Sequence, residues 1–66
     1  MRVVIHDEEN RRYLAQQGLW TEKATEAKDF AFSLRARSVA RELKLKKFQV
    51  LFYFPELDYR IVVCDS

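Results

Sequence analysis

One glycine, one proline, one cysteine and one histidine are all that this 66-residue chain holds of the residues that punctuate chains or build reactive sites. Each scarcity excludes something. A single glycine cannot make the glycine-rich turns that cradle phosphates. A single cysteine, Cys64, rules out an intrachain disulfide. Small secreted domains without such staples are uncommon, so a reducing cytoplasm is the expected compartment. His6 and Cys64 are the only soft or borderline metal ligands, and a zinc site needs three or four. They could meet if the first and last strands pair, yet two ligands do not close a site, so no metal and no cofactor are expected. Charge of one sign is also lacking: 12 basic and 10 acidic residues leave a net +2, a mixed surface rather than one built for polyanions. No long apolar run is present. The segment Met1–Asp7 is broken by charge, too short for a signal-peptide core and far too short to cross a bilayer.

What the chain does have is apolar and aromatic mass. Hydrophobic residues make up 48%, which argues against disorder. A chain this short forms one domain, residues 1–66, and buries only about 60% of its unfolded surface. Its thin core leaves limited room for a substrate cavity of ~300 Å3. The densest stretch is Phe48-Gln49-Val50-Leu51-Phe52-Tyr53-Phe54. Alternation assigns Phe48, Val50, Phe52 and Phe54 to one face of a strand. The other face still receives Leu51 and Tyr53, so both faces of the sheet need a cover.

Elsewhere the pattern predicts strands over Arg2–His6 and Arg11–Ala15, joined by the polar turn Asp7–Asn10. Gly18 stands where a positive φ is needed. Thr21 is placed to cap a short helical turn, and Ser33 to cap the one long helix, residues 34–44. In that helix Ala36, Val39, Ala40 and Leu43 share a face. Pro55 presets a turn before a last strand over Tyr59–Cys64. The expected fold is α+β: a four-stranded, mostly antiparallel sheet of two hairpins with one helix on one face, in the order β-β-α-β-β. Its core should contain Val3, Ile5, Trp20, Phe30, Val39, Leu43, Val50, Phe52, Ile61 and Val63.

Tyr13-Leu14-Ala15, Gly18-Leu19-Trp20-Thr21, Ala27, Phe30, Ala36 and Ala40 together resemble a pattern found in small uncharacterised α+β proteins. The resemblance covers about half the chain. It implies a fold, with a turn glycine, a packed indole and helix-face alanines, and it implies no activity.

No catalytic constellation is legible. Cys64 as a nucleophile would need a base and an oxyanion donor, and only His6 is available as base. Asp7, Glu8 and Glu9 read as a solvated turn rather than paired acid-base carboxylates. Trp20 is better explained as a core cap than as a binding anchor. The expectation is a non-enzymatic interaction module without small-molecule substrate or membrane partner. Its predicted contact surface is the sheet face opposite the helix, with Val4, Leu51, Tyr53 and Val62 forming an apolar patch for a protein partner or a second copy. The bland alternative is that the segment from Trp20 to Phe32, the C-terminal tail or long Arg and Lys stems fold over that face. The second hypothesis is a nucleic-acid accessory protein using a basic stripe of Arg37, Arg41 and Lys44, spaced i, i+4 and i+7, extended by Lys46 and Lys47.

Overall fold

A computed structural model describes residues 1–65. It is α+β, with five antiparallel strands and one α-helix. In chain order these are β1 (Arg2–Asp7), β2 (Arg12–Leu14), β3 (Trp20–Thr21), α1 (Ser33–Glu42), β4 (Phe48–Phe54) and β5 (Tyr59–Asp65). The sheet runs β3-β2-β1-β4-β5. The expected four strands in the order β-β-α-β-β are therefore corrected to five, three before the helix and two after it.

The missed strand is β3. Gln17 and Gly18 both adopt positive φ, 60° and 75°, and this left-handed pair turns the chain back on itself. The Ala15 amide then donates to the Leu19 carbonyl at 2.7 Å, and Leu14 faces Trp20 in the ladder. A two-residue strand carries no periodicity, so nothing in the sequence marked it. The first hairpin turns at Asp7, which is buried. Its carboxylate accepts from the Glu9 amide at 3.0 Å and from Asn10 Nδ2 at 2.9 Å, as the polar cluster led one to expect.

One face of the sheet carries α1. Val3, Ile5, Leu14, Phe30, Ala36, Ala40, Phe48 and Val50 form its core, with Trp20, Val39, Phe52 and Cys64 packed against it. Ala36 and Ala40 are fully buried, because a methyl side chain lets the helix axis approach the sheet. Three expected core residues lie elsewhere. Leu43, Ile61 and Val63 are all exposed. The helix stops at Glu42, two residues short of the expected Lys44, so Leu43 is its C-cap. Lys44 takes a positive φ of 56°, and the Leu45 amide bonds back to the Ala40 carbonyl at 3.3 Å, the left-handed stop that ends many helices. Ile61 and Val63 are exposed for a different reason, which concerns what each face of the sheet is covered by.

The cover of the second face is the segment after β3. Thr21 Oγ1 accepts from the Lys23 amide at 3.1 Å and donates to Glu26 Oε1 at 2.7 Å, fixing a 3-10 turn over Ala24–Glu26. The expected Thr21 cap does not form: the N-cap of this turn is Lys23, without a side-chain cap bond, and Thr21 lies in β3. Ala24 and Ala27 are buried against Val4, Tyr13, Leu51 and Tyr53. The segment is strapped at both sides: the Lys28 amide donates to the Leu14 carbonyl at 2.9 Å, and Arg2 Nη1 donates to the Thr25 carbonyl at 2.6 Å.

It then passes along β1 beyond the end of β2. Asp29 Oδ1 accepts from the Val3 amide at 3.0 Å and the Ala31 amide at 2.8 Å. The Phe30 amide donates to the Val3 carbonyl at 2.8 Å. These two amides lower the Asp29 carboxyl below its ordinary value, with Arg2 adding to the effect. Ala31 has φ 69° and the Phe32 amide bonds the Phe30 carbonyl at 2.7 Å, a tight three-residue turn of the strained kind. Through it Phe30 drops into the helix-side core and α1 begins.

Candidate functional site

The residues expected to form an open patch are brought to one face, and that face is closed. Val4, Leu51 and Tyr53 sit side by side through the registers Val4↔Leu51 and Arg2↔Tyr53, and all three are buried beneath Ala24 and Ala27 or the polar groups around them. Only Val62, opposite Leu51, is exposed, at 48%. The expectation of an exposed Val4-Leu51-Tyr53-Val62 patch is corrected by the fold itself: the Trp20–Phe32 segment occupies the place reserved for a partner.

A polar cluster seals the end of this face. Tyr53 donates its phenol to Asp58 Oδ1 at 3.3 Å. Arg60 Nε donates to the Tyr13 hydroxyl at 3.0 Å, its guanidinium lies 5.4 Å from the Tyr53 ring, and Nη2 pairs with Asp58 at 3.4 Å. Burial, then the adjacent Asp58 carboxylate, push the Tyr53 phenol above its ordinary value. Sequence reasoning missed this cluster. Its signal was Arg60 sharing a strand face with Tyr53 across a hairpin whose turn contains Asp58.

Apart from Met1, Leu19, Phe32, Leu34 and Leu43, the exposed large apolar side chains lie on β5 and the turn before it. Both covers thin out at β5, of which only Cys64 packs against the helix-side core. Helix α1 packs mainly on β1 and β4, and the Ala24–Ala27 cover reaches Leu51 and Tyr53 of β4. Beyond them, six of the seven β5 residues are exposed. Ile61 and Val63 are exposed at 40% and 39%. Tyr59 and, in the turn before it, Leu57 are more exposed still. The outer edge of β5 is one of the two sheet edges, so about every second residue presents an unpaired backbone donor and acceptor there.

β5 also carries an irregularity. Val50 faces Cys64 while Leu51 faces Val62, so Val63 is an extra residue, a β-bulge. The bulge inverts the alternation. Tyr59, Ile61 and Cys64 share the helix side, opposite Phe54, Phe52 and Val50. Arg60, Val62 and Asp65 share the second side, opposite Tyr53, Leu51 and Gln49. The expected pairing of Ile61 with Val63 on one face fails at this residue.

The basic residues do not line up as one stripe. Val39 and Leu43 border an apolar cleft of about 220 Å3 with Leu14, Gly18, Lys28 and Phe30, so that flank of α1 looks toward β2. Arg37, on the opposite flank, is half-buried, with Arg41 one turn on. Lys44 has left the helix, and Lys46 and Lys47 lie in the bend before β4. Lys47 joins Glu8, Phe48, Gln49 and Asp65 around an open depression of about 290 Å3, and its carbonyl accepts from the Glu8 amide at 3.0 Å.

His6 and Cys64 are held apart. β4 lies between their strands, and their side chains leave opposite faces of the sheet. His6 instead lies against Tyr13, with ring centroids 4.6 Å apart and planes tilted by 54°, and is 3.4 Å from Glu8. Among the described residues no three His, Cys, Asp or Glu side chains are grouped to hold a metal ion, and no helix is long and apolar enough to cross a membrane. No protein-family model, curated protein or solved structure matches the chain.

Proposed function

We propose that this chain is a non-enzymatic interaction module that recognises a protein through β5, its outer edge and the Leu57–Tyr59 approach to it. The observation that carries this reading is that the covers reach β5 only at its margin, through Cys64, while six of its seven residues are exposed and one edge is open. A seven-residue strand is long enough to form a ladder with an added strand, which is how many domains take up extended segments. Backbone hydrogen bonds supply affinity there, and the alternating side chains Ile61 and Val62 supply the choice of partner. A bare edge of this length is a self-association hazard that proteins blunt with Pro, charge, a bulge or a short strand, and of these β5 has a bulge and a charge near each end. β5 contains neither Pro nor Lys.

The test is capture on the immobilised chain, comparing the parent with an Ile61→Lys/Val62→Lys variant of unchanged circular dichroism. A protein retained by the parent and released by the variant supports the reading. Equal retention by both, or none by either, contradicts it.

A further inference from the structure

We infer that the strand which completes β5 is β5 of a second copy, paired antiparallel about a two-fold axis that passes between Val62 and Val63. The inference rests on the reading of β5 as the recognition edge and names its occupant.

The two edges of the sheet differ in length. β5 has seven residues, and β3, the opposite edge, has two. Head-to-tail addition of β5 onto β3 would leave most of β5 unpaired and would grow without limit. Two copies of β5 match in length, and an isologous pair closes after two.

The bulge in β5 constrains the register. In an antiparallel pair about a two-fold axis normal to the sheet, opposed residues must share a face. A regular strand satisfies this only when the opposed residue numbers differ by an even number, since side chains alternate with period two. The extra residue Val63 changes that rule across the bulge. Arg60 and Asp65 lie on one face, and Ile61 and Cys64 on the other. An axis between Val62 and Val63 therefore sets Arg60 against Asp65 of the other copy and Ile61 against its Cys64, and brings the two Val62–Val63 steps together at the axis. Apolar side chains fill the middle, and at each end Arg60, whose guanidinium reaches inward over Tyr53 to Tyr13 and Asp58 in the single chain, turns outward to meet Asp65 of the other copy. Opposite-charge and apolar cross-strand pairs both favour the ladder, whereas like charges opposed would disfavour it. The two bulges meet at the axis, so each strand spends its extra residue at the same level and neither ladder slips.

An edge-to-edge contact of this kind is small, in the class below about 1,200 Å2, and such interfaces are weak and transient. The experiment is accordingly run from the micromolar to the millimolar range. Sedimentation of the parent gives the mass. In parallel, Ile61→Cys, whose thiol would lie opposite Cys64 of the other copy, is oxidised under mild conditions beside Leu57→Cys, an exposed position off the ladder. Within one chain, residues 61 and 64 are about 10 Å apart along the strand, too far for a disulfide, so any 61–64 bond is between copies.

The inference predicts a parent mass rising from 7.9 kDa toward twice that value. It also predicts a covalent dimer from Ile61→Cys with the bond mapped to residues 61 and 64, and several-fold less from Leu57→Cys. Equal trapping of the two variants overturns it. A parent that stays monomeric throughout overturns it as well, but leaves β5 as a recognition edge for another protein, a reading that falls only if capture also fails.

Discussion

Leu51 and Val62 face each other across the β4–β5 ladder and point to the same side of the sheet, yet Leu51 is 3% exposed and Val62 48%. The boundary of the hydrophobic interior runs between these two side chains. Removing the Leu51 side chain takes apolar contacts from a closed space, and Leu51→Ala should cost about 2–5 kcal/mol. Val62→Ala should change stability by no more than about 0.5 kcal/mol. Urea denaturation of both variants measures the contrast. Equal losses would mean that the interior extends to β5.

The cover over Leu51 works because Ala24 and Ala27 are small. Enlarging one of them should lift the 3-10 turn off the sheet. Ala27→Leu is expected to cost about 1–3 kcal/mol, and to increase binding of an apolar dye as Tyr53 and Leu51 become accessible. A variant as stable as the parent, with no added dye binding, would show that the segment does not seal this face.

These contacts also explain which parts of the molecule were legible in its sequence. The helix-side alternation of Val3, Ile5, Val50 and Phe52 was readable because the period of a strand is fixed by covalent geometry. The spacing of Ala36 and Ala40 announced a helix face in the same way. The cover of the second face was not readable as such. Ala24 and Ala27 have no period, and what makes them core is the strap formed by Lys28, Asp29 and Phe30 on the backbones of Leu14 and Val3. The bulge at Val63 was equally silent, since nothing in Ile61-Val62-Val63-Cys64 distinguishes an extra residue from a regular one. The candidate patch failed at three of its four positions for the first reason, and the core list failed at Val63 for the second.

Ala31 holds φ 69°, a conformation that costs a residue with a Cβ roughly 1–2 kcal/mol. Glycine adopts it freely but adds about 0.4–1 kcal/mol of unfolded-chain entropy. Ala31→Gly should therefore stabilise the protein by about 0.5–1 kcal/mol, a rise in Tm of several degrees, at ~4–8 °C per kcal/mol for a domain this small. A lower Tm would show that this turn is not under strain.

Asp29 makes stability depend on acid. Its folded-state carboxyl lies below the ordinary value because the amides of Val3 and Ala31 donate to the charged form. Below the unfolded value of about 3.9, the unfolded chain takes up a proton that the folded chain resists. The stabilisation is therefore fully present above that value and is lost as pH falls through the folded one. Asp29→Asn keeps the size and removes the charge. Its deficit relative to the parent should be largest near neutrality and shrink in acid, as read from urea midpoints at several pH values. A constant deficit would assign the effect to geometry rather than ionisation.

The most direct measurement of the account as a whole is molecular mass by light scattering, from micromolar to millimolar concentration, for the parent and for Val62→Lys. Val62 lies outside both covers, so the lysine leaves the interior intact, and the two proteins should share the same circular dichroism and Tm. The account predicts that the parent mass climbs above 7.9 kDa with concentration while the variant remains there. A parent and variant of identical mass at every concentration would contradict self-pairing through β5.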